Sequence, residues 1–86
     1  MKIFKFPFAQ DSQTTFELPK YSEVLTVQNQ RGVPTLWAAV TDARETVKYK
    51  IHMLPTGYSE ADLDTLKYIS TAQFEELVFH FFEEIG

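Results

Sequence analysis

The chain has no cysteine. That excludes disulfides, cysteine-based zinc sites and thiol nucleophiles, and it suits a reducing cytoplasm. No apolar run is long enough to cross a bilayer. Lys5 and Pro7 interrupt the N-terminal apolar residues where a signal peptide needs an unbroken stretch, so export is not expected and the expected location is cytoplasmic. Basic residues are few, 8 in 86, and scattered, with Lys48 and Lys50 the one close pair. Binding through phosphates needs a basic stripe, so direct nucleic-acid binding is not expected of a chain with net charge −4. Glycine is scarce as well. The three present form no phosphate-cradling loop and no Gly-x-Ser-x-Gly elbow. No cofactor and no enzymatic activity are expected.

What remains is apolar and aromatic. Hydrophobic residues make up 44% of the chain and aromatics 15%, which is rich for one small domain with little interior. Part of that aromatic surface is therefore expected to be covered by a partner or a second copy.

The run Gly32 to Val40 is uncharged and holds the one tryptophan. It reads as a central strand covered on both faces, with Trp37 the largest piece of the core. Gly32 ends a turn, Asn29-Gln30-Arg31-Gly32, that joins this strand to Glu23–Gln28 as a hairpin. In that preceding strand the alternation places Leu25 and Val27 inward and Val24 and Thr26 outward. At the N-terminus, Phe4, Phe6 and Phe8 share one face and Ile3, Lys5 and Pro7 the other, with Pro7 marking an edge strand. Thr14 to Leu18 alternates again, and the first two strands are expected to pair as a hairpin. Thr46 to Leu54 places Val47, Tyr49, Ile51 and Met53 on one side, and Lys48, Lys50 and His52 on the other. Pro55-Thr56-Gly57-Tyr58 breaks the chain, and Ser59 to Asp64 permits a short helical turn. Leu66 to Ala72 reads as a further strand. The C-terminal residues fit two periods. Phe74, Leu77, Val78, Phe81, Phe82 and Ile85 fall at helical spacing, whereas Leu77 to Phe82 also reads as a buried strand, since a helix would expose Phe79.

Several segments together resemble a family of small uncharacterised proteins of tailed phages and bacterial genomes that carry a domain of unknown function. They are Ile3-Phe4-Lys5-Phe6-Pro7, Phe16-Glu17-Leu18-Pro19-Lys20, Val24-Leu25-Thr26-Val27-Gln28, Gly32-Val33-Pro34-Thr35-Leu36-Trp37-Ala38, Thr56-Gly57, Tyr68-Ile69-Ser70-Thr71 and Leu77-Val78-Phe79-His80-Phe81-Phe82-Glu83. The resemblance implies a compact β domain of phage origin, with Leu77 to Glu83 as a strand. It supplies no catalytic residues. This chain has Glu75-Glu76 where the family has a glycine-containing turn, and Tyr58 where the family has histidine.

The expected fold is an all-β antiparallel barrel or sandwich of six or seven short strands in a single domain, with a helical turn near residues 59–64 as an option. The expected function is non-enzymatic. The chain would be a phage accessory protein, in counter-defence or host takeover, that works by binding a protein partner or by self-association. The alternative is a small-ligand, nucleotide-like binder. Tyr49, Tyr58, Lys48, Lys50 and His80 are its candidate binding surface, the aromatics (Phe4 and Trp37 with them) stacking and the lysines meeting phosphates. A metal site would need both histidines, His52 and His80, with a carboxylate such as Glu45 or Glu83. Glu75, Glu76, Glu83 and Glu84 are readable as a negative patch or, more simply, as edge protection.

Overall fold

Seven strands follow one another along the chain: β1 Lys2–Pro7, β2 Gln13–Pro19, β3 Glu23–Gln30, β4 Val33–Val40, β5 Thr46–Pro55, β6 Leu66–Phe74 and β7 Leu77–Glu84. The computed structural model describes residues 1–9, 13–58 and 62–85, residue 13 by its backbone only. The strands form two antiparallel sheets. Sheet A has the order β1-β4-β3 and sheet B the order β2-β5-β7-β6. Among the described residues there is no helix. The optional helical turn at 59–64 lies partly outside them, and Asp62 to Thr65 is a plain turn closed by the Thr65 N–H donating to the Asp62 carbonyl at 3.2 Å.

The C-terminal ambiguity resolves in favour of the strand. As β7, the segment buries Phe81 completely and packs Phe79 against the core. A two-residue turn, Glu75-Glu76, takes the place of glycine because Glu75 accepts a positive φ of 57°. The β3–β4 hairpin forms as expected. Its turn residues Arg31 and Gly32 both have positive φ, 53° and 87°, the combination that matches the twist of paired strands. The Gly32 N–H donates to Asn29 Oδ1 at 2.6 Å and fixes the turn.

The first expected hairpin does not form. β1 pairs with β4 and β2 with β5, so the two consecutive strands lie in different sheets. Two other readings are corrected as well. A bulge between Val24 and Thr26 adds one residue to β3, so Val24 turns inward to the core and Leu25 turns out. In β4 the inward residues are Leu36 and Ala38, which leaves Trp37 half-buried on the outer face, outside the core cluster.

The core lies between the sheets. Leu36, Ala38, Val27 and Phe8 come from the sheet A side; Phe16, Leu18, Ile51, Ala72 and Phe81 come from sheet B. Phe8 is the hub of an aromatic file, edge-on to Phe16 at 5.3 Å and to Phe81 at 5.7 Å. At the opposite junction β3 meets β6 where both strands are bulged. Buried Ser70 there accepts from the Val27 N–H at 3.0 Å and donates to the Val27 carbonyl at 2.7 Å, so a side chain stands in for a backbone ladder. The molecule is flat, 39 × 31 × 18 Å, and so presents two broad outer faces.

Candidate functional site

The two outer faces differ in chemistry. On sheet B, period-two geometry carries Lys50, His52 and Leu54 of β5 outward beside His80, Phe82 and Glu84 of β7, with Tyr68 and Thr71 of β6 next to them. The described parts of the β5–β6 connection, residues 56–58 and 62–65, border this face. With them, Leu54, Thr56, Tyr58, Leu63, His80 and Phe82 enclose a cleft of about 360 Å³. A smaller cleft continues past Leu54 and Tyr58 toward His52 and Glu84.

Both ring nitrogens of His80 are engaged. Thr56 Oγ1 lies 2.8 Å from Nε2 and Thr71 Oγ1 3.0 Å from Nδ1. Thr56 Oγ1 also donates to the Val78 carbonyl at 3.3 Å, so it accepts from an Nε2–H. Nδ1 then accepts from Thr71, and Thr71 accepts from the Tyr68 hydroxyl at 2.7 Å. A histidine fixed in this way is a rigid flat wall to a cleft.

His52 is tied to Glu84 at 3.0 Å, and Lys50 reaches the other oxygen of that carboxylate at 3.5 Å. The hydrogen bond from His52, with Lys50 beside it, holds the Glu84 carboxyl below its ordinary value. The carboxylates that a metal site would need beside the histidines do not join them. Glu45 pairs with Lys20 at 2.9 Å, and Glu83 has the opposite parity to His80 on β7. Parity along β7 was the signal that selects Glu84. Among the described residues no three of His, Cys, Asp and Glu stand together as metal ligands.

The five residues expected to form one binding surface are divided. Tyr58 and His80 do meet at the cleft. Lys48 and Lys50 share the outer face of sheet B, with Lys50 committed to Glu84. Tyr49 points to the other side of the sheet, where its hydroxyl donates to the Ser22 carbonyl at 2.8 Å. Burial and the nearby Glu83 carboxylate push its pKa up. The four C-terminal carboxylates do not form one patch either. Glu75 and Glu76 sit at the β6–β7 turn, and Glu83 and Glu84 lie at the other end of β7, about 24 Å away at the rise of a strand. β7 is an interior strand, so the last two guard no edge.

On sheet A the outer face mixes apolar and polar side chains, with Thr26, Gln28 and Gln30 of β3 on one side of β4. Ile3, Lys5 and Pro7 of β1 flank Val33, Thr35, Trp37 and Ala39 of β4. Ile3 is 64% exposed, Val33 43% and Leu25, at the bulge, 42%. Trp37 stands opposite Lys5 and Thr26. Beside it, Lys5, Pro7, Gln30, Arg31, Val33 and Thr35 line a groove of about 330 Å³. The sequence signal for this face was present in the uncharged run from Gly32 to Val40, because an edge-to-edge sheet with one inner face leaves half of such a run outside.

Neither the curated proteins nor the solved structures compared with the chain give a match. A family model described as a domain of unknown function, DUF7352, matches residues 1–86 from end to end, and the chain belongs to that family.

Proposed function

We propose that this chain acts without catalysis, by protein contact made through the outer face of sheet A. The observation that carries this reading is the placement of Trp37. The one tryptophan stands half-buried on an outer face that also exposes Ile3, Leu25 and Val33, beside an open groove. Tryptophan is among the side chains on which protein interfaces concentrate their affinity. The phage accessory role, in counter-defence or host takeover within a bacterial cytoplasm, belongs to the same proposal. Its support is the family resemblance of the sequence alone.

A photo-crosslinking amino acid at position 37, compared with one at Thr15 on the outer face of sheet B, tests the surface in bacterial cells. A discrete crosslinked species from position 37 and none from Thr15 is the expected result. The reverse pattern overturns the reading.

A second reading is favoured by the cleft on sheet B, whose volume lies at the small end of ligand sites. Tyr58, His80 and Phe82 offer ring faces to a nucleotide-like ligand, and Lys50 would have to leave Glu84 to meet its phosphate. Nucleotides that raise the melting temperature of the native chain but not of Tyr58→Ala would support it.

A further inference from the structure

The occupant of the sheet A face is itself legible from that face. We infer that it is a second copy of this chain, docked about a two-fold axis that lies in the interface plane perpendicular to β4. This inference rests on the protein-contact reading and names its partner.

The first ground is shape. A two-fold interface must be self-complementary, with each residue and its counterpart exchanged between the copies. This face carries a large ring and a recess. Trp37, half-buried, is the ring, and the groove lined by Lys5, Pro7, Val33 and Thr35 lies next to it along the same strand. Reversing the strand direction brings Trp37 of each copy over the groove of the other. Lys5 then lies beside the incoming indole, where a cation meets the ring face favourably.

The second ground is charge. Glu23 lies at one end of β3, opposite Ala39, and Arg31 lies in the turn at the other end. The same operation sets Glu23 of one copy near Arg31 of the other, twice.

Sedimentation equilibrium on the full chain, from nanomolar to millimolar, is the test, with tryptophan emission followed on dilution. A reversible dimer whose emission shifts to the red on dissociation is expected. Trp37→Gln should weaken it by about 100-fold, the scale of an interface hot spot. Glu23→Arg and Arg31→Glu should each weaken it by about tenfold, since each places two like-charge contacts in the dimer. Mixing those two charge variants should restore association as a heterodimer, because both contacts again join opposite charges. Both variants lie on the surface, so they report even if Trp37→Gln folds poorly. A chain that stays monomeric throughout overturns the inference, and so does a dimer indifferent to all three substitutions. A monomer that crosslinks through position 37 to a different protein overturns the second copy and leaves the protein-contact reading standing. A monomer with no crosslink at that position removes both.

Discussion

The two places where sheet A meets sheet B are built on opposite principles. At the β1/β2 side no hydrogen bond joins the strands among the described residues. Rings do the joining: Phe6 and Phe8 of the β1 segment pack on Phe16 of β2 at 6.2 and 5.3 Å. At the β3/β6 side the contact is polar and directed. Ser70 serves both backbone groups of Val27, and Asn29 Nδ2 donates to the Gln73 carbonyl at 2.8 Å. Ring packing is non-directional and scales with buried area. Hydrogen bonds contribute less net energy but fix the position of one strand against another, since a misplaced buried donor is costly. The chain thus derives energy at one junction and register at the other.

The comparison can be broken from the apolar side first. Phe16→Ala should cost about 3–5 kcal/mol, the range for a buried phenylalanine, and urea denaturation would read it as a lowered midpoint. A loss under about 1 kcal/mol would mean that the rings are ornamental to closure. On the polar side, Ser70→Ala leaves the Val27 N–H and carbonyl buried without partners and should cost about 2–3 kcal/mol. Hydrogen exchange separates the two junctions further. The Val27 amide should lose protection in Ser70→Ala under conditions where the other β3 amides keep theirs. Asn29→Ala, at the exposed end of the same junction, should cost about 1 kcal/mol, because it also releases the turn amide of Gly32. Thr14 sharpens the contrast in the other direction. Its hydroxyl is buried on the apolar side of β2, without a hydrogen-bond partner among the described residues. Thr14→Val should therefore leave the melting temperature unchanged or raise it, by up to about 1 kcal/mol in stability. The smallest effect concerns pH. Glu84 has a depressed carboxyl in the fold, so its contribution is present above the ordinary glutamate value of about 4.3 and is lost as pH falls through the lower folded value. Acid titration of the wild type against Glu84→Gln should differ only in that acid window. Among the described residues the contacts named at the two junctions involve no ionisable side chain, so a broad pH response from either would contradict this account.

Much of this architecture was legible in the residues. Period-two alternation gave the inner faces of β2 and β5, and Phe16, Leu18 and Ile51 are buried as it requires. Three features were not legible, each for a physical reason. Pairing between strands depends on which partners remain after global packing, and adjacency in sequence misassigned β1 to β2. A bulge adds a residue without a local signal, and it reversed the sides of Val24 and Leu25. An uncharged strand carries no polar residue to mark its outside, so the largest side chain of β4 was placed in the core, whereas Leu36 and Ala38 occupy it. The site follows the same pattern. Tyr58 and His80 line one cleft, whereas the partnership of His52 with Glu84 required the β5–β7 pairing, which no local pattern reveals.

The position of β7 has a consequence in time. It is the last of the seven strands to be synthesised, yet it lies between β5 and β6, which do not pair with each other. Sheet B cannot be assembled in the order in which a ribosome delivers it. While the chain is still emerging, the β2–β5 ribbon waits with an open side, and β6 has no partner within its own sheet until its hairpin partner appears. Only when the β6–β7 hairpin is complete can it close onto β5 and cover Phe81. Any shortening that removes β7 therefore takes away the centre of the sheet and leaves two separated halves.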